Sequence, residues 1–375
     1  VRAVLGGPTW KKCSILTESF LQQRWPLPSA PLPVGLIGAG GIARTAHLPA
    51  YTKIGVDVAS VYDLDGAVAR KLARDFGIAE VCSSLEALCE REYAIYDVAV
   101  PATAQAAVLR ALPDGCAVLL QKPLGQNLAE AQELATLAQR KGLVVAVNLQ
   151  LRFAPNVLAL KALLARGVLG VIHDVEVRTN TWTPWSTWSF LAGIPRMELL
   201  YHSIHALDLV RELLGEPLGV HCYADRDPAF PDHADTRSDT LLMYEGARAS
   251  VRTLHSRRNL GRHAMSQIQV SGSNGTAVLK TGVNLAYPSG EPDSLWVQTG
   301  RSAGSEIPLR GNWFIEAFEG PMSNLQRFVC GEDESLVSSL ADALHTMALL
   351  EACYRSSGSR PTPIPSTVRR VRRPS

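Results

Sequence analysis

Val34-Gly-Leu-Ile-Gly-Ala-Gly-Gly-Ile-Ala43 decides the fold of this chain: an apolar run closes on a glycine-rich turn and passes into a helical pattern over 42–54. Continuous rather than alternating apolarity marks a strand buried on both faces. The same texture recurs downstream. VASVYD (58–63), IYDVAV (95–100), AVLLQ (117–121) and VVAVN (144–148) read as further buried strands, separated by amphipathic stretches at 65–76, 84–90, 104–112 and 127–141. Strands alternating with helices predict a parallel sheet covered on both faces, an α/β domain over 34–150.

A sixth helix is expected at 155–166, and after about residue 170 the pattern changes. Stretches at 171–182, 219–225, 240–246, 247–256, 266–273 and 275–282 read as strands joined by turns, which predicts a mostly antiparallel sheet. One strong helix interrupts them at 197–214, and two more are expected at 313–330 and 335–356. The second domain, 151–356, is therefore of the α+β class.

A chain of 375 residues is long enough for two such cores. With 46% hydrophobic and 19% charged residues it has a globular balance, not that of a disordered or fibrous chain. No run approaches the ~20 apolar residues of a membrane span. The net charge of +2 arises at the ends, from Arg2, Lys11, Lys12 and Arg24 and from Arg369, Arg370, Arg372 and Arg373. The body is acidic, which argues against a nucleic-acid groove. Seven cysteines without a C-x-x-C pair suggest neither a disulfide framework nor a zinc ribbon, so a reducing cytoplasm is expected. Residues 1–33 and the basic segment 357–375 are expected to lie outside the fold, without structure of their own.

The turn after the first strand carries chemistry. Gly38 permits the tight turn, Gly40 lets a pyrophosphate approach the backbone, and Ala43, standing where a third glycine often falls, is small enough for helix–strand packing. The helix start at Gly41 and Ile42 offers unpaired N–H groups and a positive dipole end to phosphates. Asp63 ends the second strand, where an acid accepts the adenosine ribose hydroxyls and repels a 2′-phosphate. NAD is thus favoured over NADP, although a structural turn beside a solvated Asp63 would look similar.

Further motifs point to a family. The GAGGIA turn followed by Thr45-Ala46-His47-Leu48-Pro49, the triplet Gln121-Lys122-Pro123, and His205 with Asp208 on a later helix resemble the Gfo/Idh/MocA oxidoreductases, from about Val34 to Tyr354. The resemblance implies an NAD(P)-dependent enzyme, often oligomeric, acting on sugars, inositols or related polyols. Lys122 would face the crevice beyond the strand ends, together with Pro101 and Gln121, and polarise the reacting oxygen. The family usually has Glu-Lys-Pro, so Gln121 puts the orientation of the lysine in question. Gln105 stands where the family often has His, four residues after Pro101.

The helix MELLYHSIHALDLVRELLG brings Glu198, Tyr201, His202, His205, Asp208 and Glu212 within an arc of about 120°, taking 100° per residue. A plain solvent face would favour Lys, Glu and Arg instead. The resemblance makes His205 the general acid or base, work that its ordinary pKa of ~6.5 suits. Asp208 is expected to accept from the imidazole or to hold a substrate hydroxyl. Tyr201 replaces an Asp common in the family and is expected to bind substrate oxygen or share the proton transfer.

Other residues are weighed against plainer roles. Glu198, His202 and His205 could converge on one ion, but no fourth ligand is evident and no metal is expected. Asp232, His233 and Asp235 are expected to face solvent. Trp182, Trp185 and Trp188 could wall a sugar site or simply pack a core or an oligomer contact. Arg152 and His202 are expected to line the substrate cleft. The reading is an NAD-dependent oxidoreductase acting on CH–OH groups, a homodimer or tetramer. A non-catalytic dinucleotide sensor and a glycosidase or lyase using bound NAD for transient oxidation stay open beside it.

Overall fold

The computed structural model describes residues 21–256, 261–285, 287 and 290–360. Six parallel strands form the first sheet: β1 (Val34–Ile37), β2 (Val58–Tyr62), β3 (Glu80–Val81), β4 (Ile95–Val98), β5 (Ala117–Leu120) and β6 (Val144–Val147). Their order is β3-β2-β1-β4-β5-β6. The chain winds outward in both directions from β1, so a crevice opens at the carboxyl ends of β1 and β4, where such sheets bind ligands. Every residue of β1, β4 and β5 is buried, as their unbroken apolarity requires. The two-residue β3 has no apolar run to announce it.

The second sheet has eight strands: β7 (Ile172–Asn180), β8 (Gly219–Asp225), β9 (Arg237–Met243), β10 (Arg248–Leu254), β11 (Met265–Gly272), β12 (Gly275–Lys280), β13 (Ser294–Thr299) and β14 (Ser305–Ile307). Their order is β14-β13-β12-β11-β7-β10-β9-β8. All pairs are antiparallel except β7 with β10, which run parallel. Inward residues such as Val175, Val177, Ala249, Val251, Ile268 and Val270 pack against Leu207 and Val210 of the helix Ile204–Leu214. No helix among the described residues is long and apolar enough to cross a membrane.

The two halves interlock. The helix Glu319–Val329 returns to the first sheet and buries Met322 and Leu325 with Val34, Leu36 and Val61. Ser338 accepts from the Val147 amide at 2.8 Å, and Ser339 bridges to Ala146 at the sheet's edge.

One expectation about the ends needs correction. From Leu21 onward the leading segment is part of the fold: Gln23 donates to the Pro308 carbonyl (2.9 Å), Trp25 to Asp333 (2.7 Å), and the Leu32 amide to Gln326 (2.9 Å). Leu27 and Leu32 of this segment pack against the core that includes Val34, Leu36 and Val61. Residues 1–20 and 361–375, including the arginine-rich end, lie outside the described residues, while Ser357 closes the last helix, Leu340–Ser357.

Arg152 was expected in the substrate cleft, and Asp208 beside His205. Instead the two are buried together. Arg152 Nε and Nη2 donate to the two Asp208 oxygens at 2.7 and 2.6 Å, while Nη1 donates to Glu212 (2.9 Å) and the Val337 carbonyl (3.1 Å). Asp342 adds an ion pair at 2.6 Å, and Thr346 donates to Asp208 at 2.7 Å. The guanidinium, at 2% exposure, is held by carboxylates on two helices. Removing one partner of a buried pair leaves a charge uncompensated. Asp208→Ala should therefore lower stability by about 3 kcal/mol, read as a reduced urea midpoint; an unchanged midpoint would remove this structural role.

Candidate functional site

The glycine turn is built as its sequence predicts. Gly38 has φ +99°, and a Cβ there would lie 2.5 Å from the Ala99 carbonyl oxygen, so only glycine fits. At Gly40 and Gly41 a Cβ would meet nothing within 4 Å: these two positions face open space rather than protein. A helix runs from Gly41 to Ile54, its first amides turned toward that space. Asp63 sits at the end of β2 and accepts from the Ala39 amide at 2.7 Å, so it also braces the turn. An open cradle of amides beside a partly exposed carboxylate suits a dinucleotide pyrophosphate and ribose.

Across the crevice, Pro101 is exposed after β4 and Lys122 follows β5. The loop carrying Lys122 is clamped by a residue whose role was open. Gln105 donates to the carbonyls of Gln121 (2.6 Å) and Pro123 (2.9 Å) and accepts from the Gly125 amide (2.9 Å). Gln121 was expected to touch the cofactor. It points inward: its Oε1 accepts from the Lys122 amide at 2.7 Å, and its Nε2 approaches His47 Nε2 at 3.1 Å. His47 is paired with Asp97 (2.7 Å) and is also approached by Asn148 (3.1 Å). This buried polar chain joins the glycine-turn helix to the lysine loop. The chemistry of Asp97 within an apolar strand was its only sequence signal.

Lys122 Nζ donates to the Tyr201 carbonyl at 2.9 Å and lies 5.9 Å from the centre of that ring. Desolvation brings its pKa down to about 8. His205 is buried and packs edge-on to Trp313, with ring centres 5.5 Å apart. Burial first, then the neighbouring charge of Lys122, holds the imidazole pKa well below its usual value. Its Nδ1 has no partner among the described residues. Lys122 and His205 thus influence each other electrostatically, both with pKa values lowered chiefly by burial.

The helix does not present one polar arc. Residues Glu198–Ser203 form a widened π turn before the α-helix Ile204–Leu214, a feature common at functional sites. The widened turn shifts Glu198, Tyr201 and His202 relative to the residues on the regular helix that follows. Asp208 and Glu212 go to Arg152, His205 stands beside Lys122, and Glu198 with His202 turns toward His255 at the end of β10. Asp235 does not face solvent. It is buried and accepts from the amides of Met197 (2.7 Å) and Glu198 (3.1 Å), capping the helix start.

The tryptophans divide their roles. Trp185 is buried edge-on to His255 (4.9 Å) and near His202 (6.3 Å), while Trp182 stacks on Phe230 at 5.3 Å. They form a small core with Leu191 and Met197, and partly buried Tyr201 packs on it.

Known proteins match over the same span. A D-apiose dehydrogenase of Paraburkholderia graminis is 26% identical over 337 residues, covering 86% of each chain. A D-glucoside 3-dehydrogenase of Escherichia coli is 29% identical over 200 residues, covering 51% of this chain and 56% of its own. Among solved structures, an Agrobacterium radiobacter oxidoreductase with NAD+, L-tartaric acid and magnesium aligns with TM-score 0.74 at 21% identity, covering 88% of this chain and 96% of that one. A levoglucosan dehydrogenase with NADH and levoglucosan aligns with TM-score 0.70 at 20% identity, over 88% and 97%. Residues 32–149 match the model described as an oxidoreductase family with an NAD-binding Rossmann fold, and residues 157–278 match the Gfo/Idh/MocA C-terminal domain. With both halves matched in order over more than half its length, the chain belongs to the Gfo/Idh/MocA family of NAD-binding oxidoreductases.

Proposed function

We propose that this protein oxidises a secondary hydroxyl of a sugar or related polyol, or runs the reverse reduction, with NAD preferred over NADP. The substrate class is supported by the D-apiose dehydrogenase and D-glucoside 3-dehydrogenase relatives. One observation carries the catalytic reading. Lys122 and His205 come from different halves of the chain, and the charge of Lys122 acts on the buried imidazole and lowers its pKa. When bound along the glycine turn, the nicotinamide cofactor supplies the hydride acceptor.

The protein's own part is proton and charge handling. Neutral His205 takes the hydroxyl proton, and Lys122 stabilises the negative charge that develops on that oxygen. Tyr201 borders the same space and positions the substrate, with His202 beyond it. Asp208 acts at a distance, by fixing the helix through Arg152.

Association with a second copy is supported by the outer face of β8 and β9, where Tyr223 is 62%, Leu241 41% and Met243 40% exposed. The cytoplasmic placement expected of a chain without disulfide patterning is part of the same reading.

Four measurements check these assignments, taken in the order of cofactor, chemistry, pH and assembly. Gly38→Ala should weaken NAD binding by on the order of tenfold, about 1.4 kcal/mol, and Asp63→Ala should narrow the NAD-to-NADP preference in the same titration. Lys122→Ala and His205→Ala should each lower kcat by about 10²-fold or more while leaving NAD affinity largely intact; turnover unchanged in both would remove their roles. Activity should be lost as pH falls below the ordinary histidine range, when His205 gains a proton, and again as pH rises through about 8, when Lys122 loses one. Lys122→Met should abolish that basic limb. In sedimentation experiments, Leu241→Lys combined with Met243→Lys should yield monomers, whereas a persisting oligomer would place the interface elsewhere.

A further inference from the structure

Three potential ligands of different elements converge beside the candidate active site. Glu198 and His202 lie on successive turns of the widened helix, and His255 follows β10. One atom from each lies within 4.8 Å of the other two. Glu198 Oε1 is 3.3 Å from His255 Nε2 and 3.6 Å from His202 Nδ1. Glu198 and His255 are fully buried, while His202 retains 19% side-chain exposure.

Hydrogen bonding alone does not close this cluster. Ser203 donates to Glu198 Oε1 at 2.6 Å, but Glu198 Oε2 and His202 Nδ1 are buried atoms without a partner among the described residues. A buried carboxylate left half-satisfied is costly. A carboxylate oxygen and imidazole nitrogens gathered this closely are the donor types that hold a divalent transition-metal ion.

The surroundings are organised in the same sense. Thr183 Oγ1 is bonded to His255 Nδ1 at 2.7 Å, which turns Nε2 toward the carboxylate. The Thr183 amide donates to the His255 carbonyl at 3.0 Å, and Trp185 packs against both imidazoles. Asp235 fixes the start of the helix that carries the other two ligands.

We propose that Glu198, His202 and His255 bind a divalent transition-metal ion of the zinc type. Two imidazoles and one carboxylate suit zinc or cobalt and disfavour magnesium or calcium, which prefer oxygen ligands. With bonds of about 2.0–2.2 Å, tetrahedral ligand atoms lie about 3.3–3.6 Å apart, the spacing that Glu198 Oε1 already has from His255 Nε2 (3.3 Å) and His202 Nδ1 (3.6 Å). Three protein ligands leave a coordination position for water or for a second oxygen of a vicinal diol. That last step rests on the sugar or polyol reading; the metal site itself does not.

The test is metal content, which needs no substrate. The full chain, stripped with a chelator and dialysed against micromolar zinc, should retain about one equivalent by mass spectrometry. Cobalt in its place should give visible d–d absorption. His202→Ala should lose at least tenfold in zinc affinity and abolish the cobalt bands while circular dichroism is unchanged; Glu198→Gln should behave alike. His345→Ala, on an exposed part of the last helix, should keep both. Failure of the wild-type chain to retain zinc or cobalt, or full retention by His202→Ala, would overturn the proposal. Metal retention without any sugar oxidation would sustain the site and count only against the substrate reading.

Discussion

The arrangement of the site depends on one buried guanidinium. Arginine cannot shed its charge, so Arg152 must be surrounded by acceptors wherever the chain buries it. Those acceptors come from the helix Ile204–Leu214, through Asp208 and Glu212, and from the last helix, through Asp342. Arg152 itself follows directly on β6. The ion network therefore fixes how the helix with His205 sits over the strand ends that carry Lys122. Shape-complementary apolar contacts could hold the domains together, but they would tolerate sliding; bidentate geometry does so far less.

A second polar chain sets the other half of the crevice. His47, Asp97, Gln121 and Asn148 are buried, and their bonds run from the glycine-turn helix through the sheet to the Lys122 loop. Gln105 closes the same loop from the opposite side. Low-dielectric surroundings strengthen the bonds this chain makes, while Asp97 Oδ1 and Asn148 Oδ1 are left without a partner among the described residues. The cofactor cradle and the lysine are thus joined by hydrogen bonds rather than being two loops that happen to meet.

Much of this was legible in the residues. Continuous apolar runs identified five of the six parallel strands, and the glycine spacing identified the turn. The missed β3 is two residues long, and β13 and β14 have too little periodicity to stand out. The site was legible as a set of residue types but not as a partition. Lys122 acts on His205 through its charge, while Asp208 and Arg152 spend their charges on each other. The uniform 100° wheel failed for Glu198, Tyr201 and His202 because the helix widens at Glu198–Ser203, whereas Asp208 and Glu212 part from His205 on a regular α-helix because Arg152 takes both carboxylates. His255 went unnoticed because it lies far along the chain from Glu198, and the packing of the helix Ile204–Leu214 on β10 brings the two together.

The widened turn bears on how this helix can change over time. A π turn holds one more residue than an α turn between the same ends. Losing one residue between Glu198 and Ser203 would leave a continuous, well-packed α-helix with Asp208 still on Arg152. Everything before the deletion would rotate by about 100°. Glu198 and His202 would swing away from His255, while His205 kept its place beside Lys122. One codon therefore separates two versions of this pocket that share a fold and the same Lys122–His205 pair but offer different chemistry to whatever lies next to it.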